Sequence, residues 1–139
     1  MTVPDAVVAL IAAAVPTGVV VYDGIVPTTP AERYVVAYVD PGTLTALSVA
    51  SVSDDLMVRW QTTTVAPDAA AARWLAARVR DSIVDQKPTV DGWSCGQVSH
   101  TYSQTPQRDE AVMERPVVYL VDLYAVRAAR VDESSSSSS

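Results

Sequence analysis

The chain contains no phenylalanine and no asparagine, and it has one lysine (Lys87), one histidine (His100) and one cysteine (Cys95). With no Phe and only 6% aromatic residues, a core has to be built from Val, Ala and Leu, with Trp and Tyr as anchors. A lone cysteine makes no intramolecular disulfide and no thiolate cage, so nothing in the chain speaks against a reducing compartment. A zinc site would have to draw on carboxylates scattered along the sequence, and no metal or cofactor is expected. Basic residues are also scarce, ten against sixteen acidic ones for a net charge of -6. That balance excludes a face that grips nucleic acid by neutralising phosphates, and it favours a surface that repels DNA. The longest apolar stretch, residues 6–15, is too short to cross a bilayer. Asp5, with no basic residue before it, does not suit a signal peptide. The chain is therefore expected to be soluble and cytoplasmic when made, with no membrane contact. The five glycines all sit at turn-like positions and none precedes a Lys-Ser/Thr pair, which excludes a phosphate loop.

What is present fits one domain. At 139 residues, such a domain buries about two-thirds of the surface its unfolded chain exposes. The load of Ala, Val and Asp, with Arg far ahead of Lys, is the coding bias of a GC-rich genome. Val7, Leu10, Ile11 and Ala14 share one face at helical spacing between Pro4 and Pro16, which predicts a first helix. Val19 to Tyr22, closed by Asp23-Gly24, and Tyr34 to Val39, closed by Asp40-Pro41-Gly42, read as strands. Residues 43–55 are small, polar and hydroxyl-rich, and read as a long excursion or irregular hairpin. Leu56, Val58 and Trp60 alternate with Met57, Arg59 and Gln61 in a third strand that runs to Val65.

Pro67 and Asp68 open the clearest helix, in which Ala71, Trp74, Leu75, Arg78, Val79, Ser82 and Ile83 form the expected core stripe up to about Asp85. Residues 97–104 suit a polar strand, and residues 105–114 a mobile arm or hairpin tip. Residues 117–126 form a last strand with apolar residues on both faces, which places its first half centrally in the sheet. The expected fold is α+β: a mostly antiparallel sheet of roughly four to five strands with two helices packed on one side and long loop or hairpin excursions. It spans residues 1–131, and residues 132–139 form a disordered Ser-rich tail.

Chemistry is hard to find. His100 and Cys95 could be drawn as a dyad, but they lie close together on one strand or its approach. His100 is read as a surface or edge-strand histidine and Cys95 as a small buried thiol. Asp54-Asp55 and Asp109-Glu110 are adjacent carboxylates in expected loops and do not converge as a general acid and base must. No catalytic set is expected.

Association is better supported. Opposite the bulky stripe, the second helix carries Ala69, Ala72, Ala76 and Ala77, small residues that let another backbone approach, although helix propensity alone also explains them. The polar segments 43–55 and 105–114 are long for a small domain, and clasping a neighbour would account for them. Subunit or tube contacts are accordingly placed at Ala69, Ala72, Arg73, Ala76, Arg80, Asp54, Asp55, Arg108 and Asp109.

The chain carries an ordered set of short pieces. Val21-Tyr22-Asp23-Gly24 precedes a Pro-rich step, Tyr34-Val35-Val36 precedes Asp40-Pro41-Gly42, and Trp60-Gln61-Thr62-Thr63-Thr64 leads to Ala72-Arg73-Trp74-Leu75 and Val79-Arg80. Val90-Asp91-Gly92-Trp93, Arg108-Asp109 and Val118-Tyr119-Leu120-Val121-Asp122 follow. In order and spacing, from about Val19 to Arg127, this resembles the tail-terminator (tail-to-head joining) proteins of long-tailed bacteriophages, the actinobacteriophage type in particular.

The resemblance implies a structural virion protein of a siphovirus tail and not an enzyme. Its subunits would form a hexameric ring at the head-proximal end, cap the tail tube, end its polymerisation and join it to the head connector, after assembly in the host cytoplasm. DNA would pass through the lumen without specific binding, past acidic residues such as Asp54 and Asp55. The alternatives are a head-tail connector or other minor tail protein and, from a different class, a small-molecule-binding α+β domain, which needs a concave apolar pocket with convergent polar groups.

Overall fold

The computed structural model describes residues 1–45 and 55–131. The expected serine tail and Asp54 lie outside the described residues. Helix α1 (Val3–Ala14) starts where Thr2 accepts a hydrogen bond from the Asp5 N–H at 3.2 Å, and it buries Val3, Ala6, Val7 and Ile11 at helical spacing. Strands β1 (Val20–Asp23) and β2 (Tyr34–Val39) follow. Next come β3 (Thr43–Thr45) and β4 (Asp55–Ala66), which form an antiparallel hairpin from the segment read as an excursion.

The turn into β3 is held by the Asp40 carboxylate, whose Oδ1 accepts from the N–H groups of Gly42 (2.9 Å) and Arg59 (3.1 Å). Gly42 has a φ of 95°, and a Cβ there would sit 2.6 Å from Leu56 Cδ1, so glycine is required on two grounds.

Helix α2 (Ala69–Ile83) is capped by Asp68, which accepts from the Ala71 N–H at 2.7 Å. It ends at Val84, after which Asp85 adopts a φ of 67°. Asp is among the few non-glycine residues that tolerate this left-handed conformation. The chain closes with β5 (Trp93–Cys95), β6 (Ser99–Ser103), β7 (Gln107–Arg108) and β8 (Val118–Arg130).

The class is α+β as expected, but the sheet is larger, with eight strands among the described residues, in the order β1-β2-β4-β8-β5, while β3 pairs with β4 and β6 and β7 pair with β8. It is also mixed, because β1 and β2 run parallel. At its centre β4 and β8 match from Asp55↔Ala129 to Ala66↔Val118. The last strand is thus central as expected, and its pairing extends beyond residue 126.

Residues directly opposite in this ladder share a face. Leu56, Val58, Trp60, Thr62 and Thr64 of β4 therefore face the same way as Ala128, Val126, Tyr124, Asp122 and Leu120 of β8, and all of them are buried. With Val35 and Ala37 of β2 they lie under α1 and α2, where Leu75, Val79 and Ile83 complete the core. Trp60 and Tyr124 stack with ring centroids 5.6 Å apart.

Helix α2 is turned from the expected orientation. Its buried residues are Ala72, Leu75, Ala76, Val79 and Ile83, whereas Trp74 and Arg78 face outward. Ala72 and Ala76 pack with Ala66 and Leu120. The backbone these small residues admit is that of the chain's own sheet; Ala72 is fully buried there and Ala76 nearly so.

Candidate functional site

The inward face of the sheet carries one polar row. His100 Nε2 lies 3.0 Å from Asp122 Oδ1, and Asp122 is 2% exposed. Among the described residues the second carboxylate oxygen of Asp122 has no hydrogen-bonding protein group, and neither have Tyr124 Oη, Trp60 Nε1 or Thr64 Oγ1. Burial, reinforced by the Asp122 carboxylate, holds the Tyr124 phenol well above its ordinary range. His100 is thus an edge-strand histidine, as expected, but half-buried and tied to a carboxylate that sequence reasoning did not single out. The signal was available: Asp122 is the only acidic residue in the inward register of a strand whose neighbouring inward positions are Leu120, Tyr124, Val126 and Ala128.

Cys95 pairs with Ala128 on β8 and His100 with Tyr124. Four residues of strand, about 14 Å, therefore separate them, and the dyad cannot form. Burial pushes the Cys95 thiol up, away from the thiolate. Among the described residues no cluster of three or more His, Cys, Asp and Glu is arranged to hold a metal ion.

The opposite face of the sheet is different in kind. The register sets out successive rows across it: Tyr34, Val65 and Tyr119; Val36, Thr63 and Val121; then Tyr38, Gln61, Leu123 and Tyr102. None of these residues carries a formal charge, and among the described residues no helix packs on them, yet Val36 (2% exposed) and Val65 (6%) are buried, so the open part of this face is its last row. Tyr38 is 45% exposed, Leu123 37% and Tyr102 55%. Exposed tyrosine and leucine side chains grouped in this way are characteristic of contact surfaces between proteins. Charge returns only at the far end, where Arg59 and Arg127 stand and Asp55 Oδ2 pairs with Arg127 Nε at 3.4 Å. Asp55 was expected in a loop. It opens β4 instead, because β8 extends far enough to pair with it.

Beside the first of these rows lies a cleft of about 460 Å³ between the 24–33 segment, the end of β4 and residues 109–117. Pro30, Tyr34 and Pro67 contribute apolar lining, and Glu32, Asp109, Glu114 and Arg115 contribute charge. Burial, and after it the Asp109 carboxylate, push the Tyr34 phenol above its usual range. Tyr22 packs edge-on against Tyr34 at 5.4 Å and accepts a hydrogen bond from the Ala31 N–H, which holds the 24–33 segment against the strands.

The residues expected to meet a neighbour are therefore dispersed. Arg73, Ala76 and Arg80 line a groove between α2 and residues 103–106. Arg80 also contacts Asp81 at 3.5 Å. Asp109 belongs to the cleft, and its Oδ1 accepts from the Ala111 N–H in the tip of the β7–β8 hairpin. Arg108 is exposed on β7, and Ala69 is half-buried at the start of α2. What sequence reasoning missed is Trp74, 54% exposed, with the Arg78 guanidinium 5.7 Å from its ring centroid. Arg78 and Ser82, polar members of the supposed core stripe, already marked that ridge as outward.

No family model matches this sequence, and no curated protein is detectably similar to it. Among solved structures, a chain in the virion of the native gene transfer agent (GTA) particle superposes with a TM-score of 0.58 at 18% identity, covering 87% of this chain and 85% of that one. A second solved structure superposes with a TM-score of 0.53 at 18% identity over 88% of each chain. The α+β fold is thus shared with a chain of the gene transfer agent virion.

Proposed function

We propose that this chain is a structural virion protein of a long-tailed phage or phage-like particle, of the tail-terminator kind. Its subunits form a hexameric ring that caps the tail tube, ends its polymerisation and joins it to the head connector. The observation that carries this reading is the open, uncharged row of Tyr38, Leu123 and Tyr102 on the outward sheet face, displayed on a fold that a chain of a gene transfer agent virion also has. A small domain that leaves such a group of apolar side chains in the open can cover it by assembly. The wide separation of Cys95 from His100 and the acidic balance of the chain agree with a role in which no bond is made or broken. The same acidic balance lets DNA pass a lumen without adhering.

A head-tail connector or other minor tail protein is the neighbouring reading, and partner choice separates the two. Purified protein is expected to give ring particles by electron microscopy and a hexameric native mass, and to bind the end of tail tubes. Binding to head connectors but never to tubes would move it to the connector class. A monomer under all conditions, with or without tubes, would remove the ring reading.

A further inference from the structure

Building on that reading, we infer that neighbouring copies pack head to tail, with Trp74 of one copy seated in the proline-lined cleft of the next. Trp74 is the largest aromatic side chain left more than half exposed among the described residues. It stands on the outer ridge of α2 between two exposed cations, Arg73 and Arg78, and the Arg78 guanidinium lies over its ring. The protruding element is therefore an indole flanked by positive charge. The receiving element has the opposite character: an apolar lining of Pro30, Tyr34 and Pro67, and three carboxylates, Glu32, Asp109 and Glu114, against one guanidinium, Arg115.

Its volume of about 460 Å³ falls within the range, ~300–1,000 Å³, of pockets that enclose ligands larger than an indole. Prolines and a tyrosine ring offer a rigid apolar seat, and a carboxylate rim placed around guanidinium groups gives the charge complementarity that fixes register.

The two patches share no residue, so each copy can insert its tryptophan and receive another at the same time. A contact between two different patches is heterologous, and repetition of one such contact closes a ring when the rotation permits. The occupant of the cleft is thus a second copy of this chain. Asp81, close to Trp74 on the same ridge, is already engaged by Arg80 and does not oppose the match.

The test uses the full chain and measures native mass across a concentration series. Trp74→Ala is expected to raise the concentration needed for assembly at least about tenfold. One chain carrying Arg73→Glu and Arg78→Glu, and another carrying Glu32→Arg and Glu114→Arg, are each expected to stay monomeric with wild-type circular dichroism. Mixed together they are expected to form a ring of alternating composition, because acidic ridge then meets basic cleft and basic ridge meets acidic cleft. A folding defect cannot produce that rescue. If wild type assembles and all these variants assemble equally well, the docking assignment is wrong and the ring reading stands. If wild type itself never assembles, with tail tubes or without them, both are wrong.

Discussion

The two faces of the central β4–β8 pair put the same residue chemistry to two different uses. On the inward face Val58, Trp60, Tyr124 and Val126 are all at most 3% exposed, sealed under α1 and α2. On the outward face Tyr38, Leu123 and Tyr102 stand between 37% and 55% exposed with no layer over them. Apolar content alone does not separate a core from a contact surface. What separates them is how far the chain covers each side: the helices seal the inward face, whereas on the outward face Val36 and Val65 are buried and the row of Tyr38, Leu123 and Tyr102 is left open.

The sharpest way to test this contrast is to truncate one residue on each side. Leu75→Ala, on the buried face of α2 at 1% exposure, is expected to lower the stability of the isolated subunit by about 2–5 kcal/mol, roughly 10 °C in melting temperature. Leu123→Ala is expected to change subunit stability by no more than about 0.5 kcal/mol while weakening assembly. Equal losses from the two would abolish the distinction between the faces.

A smaller effect is expected at the inward polar row. Asp122→Ala leaves His100 without its acceptor and is expected to cost about 1–3 kcal/mol by urea denaturation. Adding His100→Ala should cost little more, since the pair acts as a unit; additive losses would mean that the 3.0 Å contact is not coupled.

The smallest effect concerns reactivity. Because burial raises the Cys95 pKa, less thiolate is present at any pH near neutrality than in a free thiol. Alkylation should be slow at pH 8, climb with pH beyond the range of an ordinary cysteine, and match a free thiol only after unfolding. Fast alkylation of the native protein would show that Cys95 belongs to the open surface.

Long periodic elements were legible in the sequence and short or paired ones were not. β4, β8 and α2 could be read because twelve, thirteen and fifteen residues are enough to display a period. β3, β5 and β7, with three, three and two residues, are too short to show alternation, so the sheet was read as smaller than it is. The parallel pairing of β1 with β2 depends on the path of residues 24–33, which no pattern within either strand records.

The facing of α2 went astray because alanine adds little to an amphipathic pattern. Trp74 drew the core stripe toward itself, although it is Ala72 and Ala76 that fit against the sheet. The cleft was invisible because its walls come from three stretches far apart in the chain. Asp122 was overlooked because both registers of β8 look apolar, so that the inward one, in which its carboxylate stands out, was not singled out.

The middle of this sheet is also the part that must be completed latest. Asp55 waits for Ala129, 74 positions downstream, and Ala66 for Val118, 52 positions downstream. A nascent chain lacking β8 has β4 with one flank unpaired and β5, β6 and β7 with nothing to join. Contacts this distant make folding slow, and they tie the appearance of the outward tyrosine surface to completion of the thirteenth residue of β8. A fragment released early from the ribosome therefore has no formed surface with which to enter, and spoil, an assembly of finished chains.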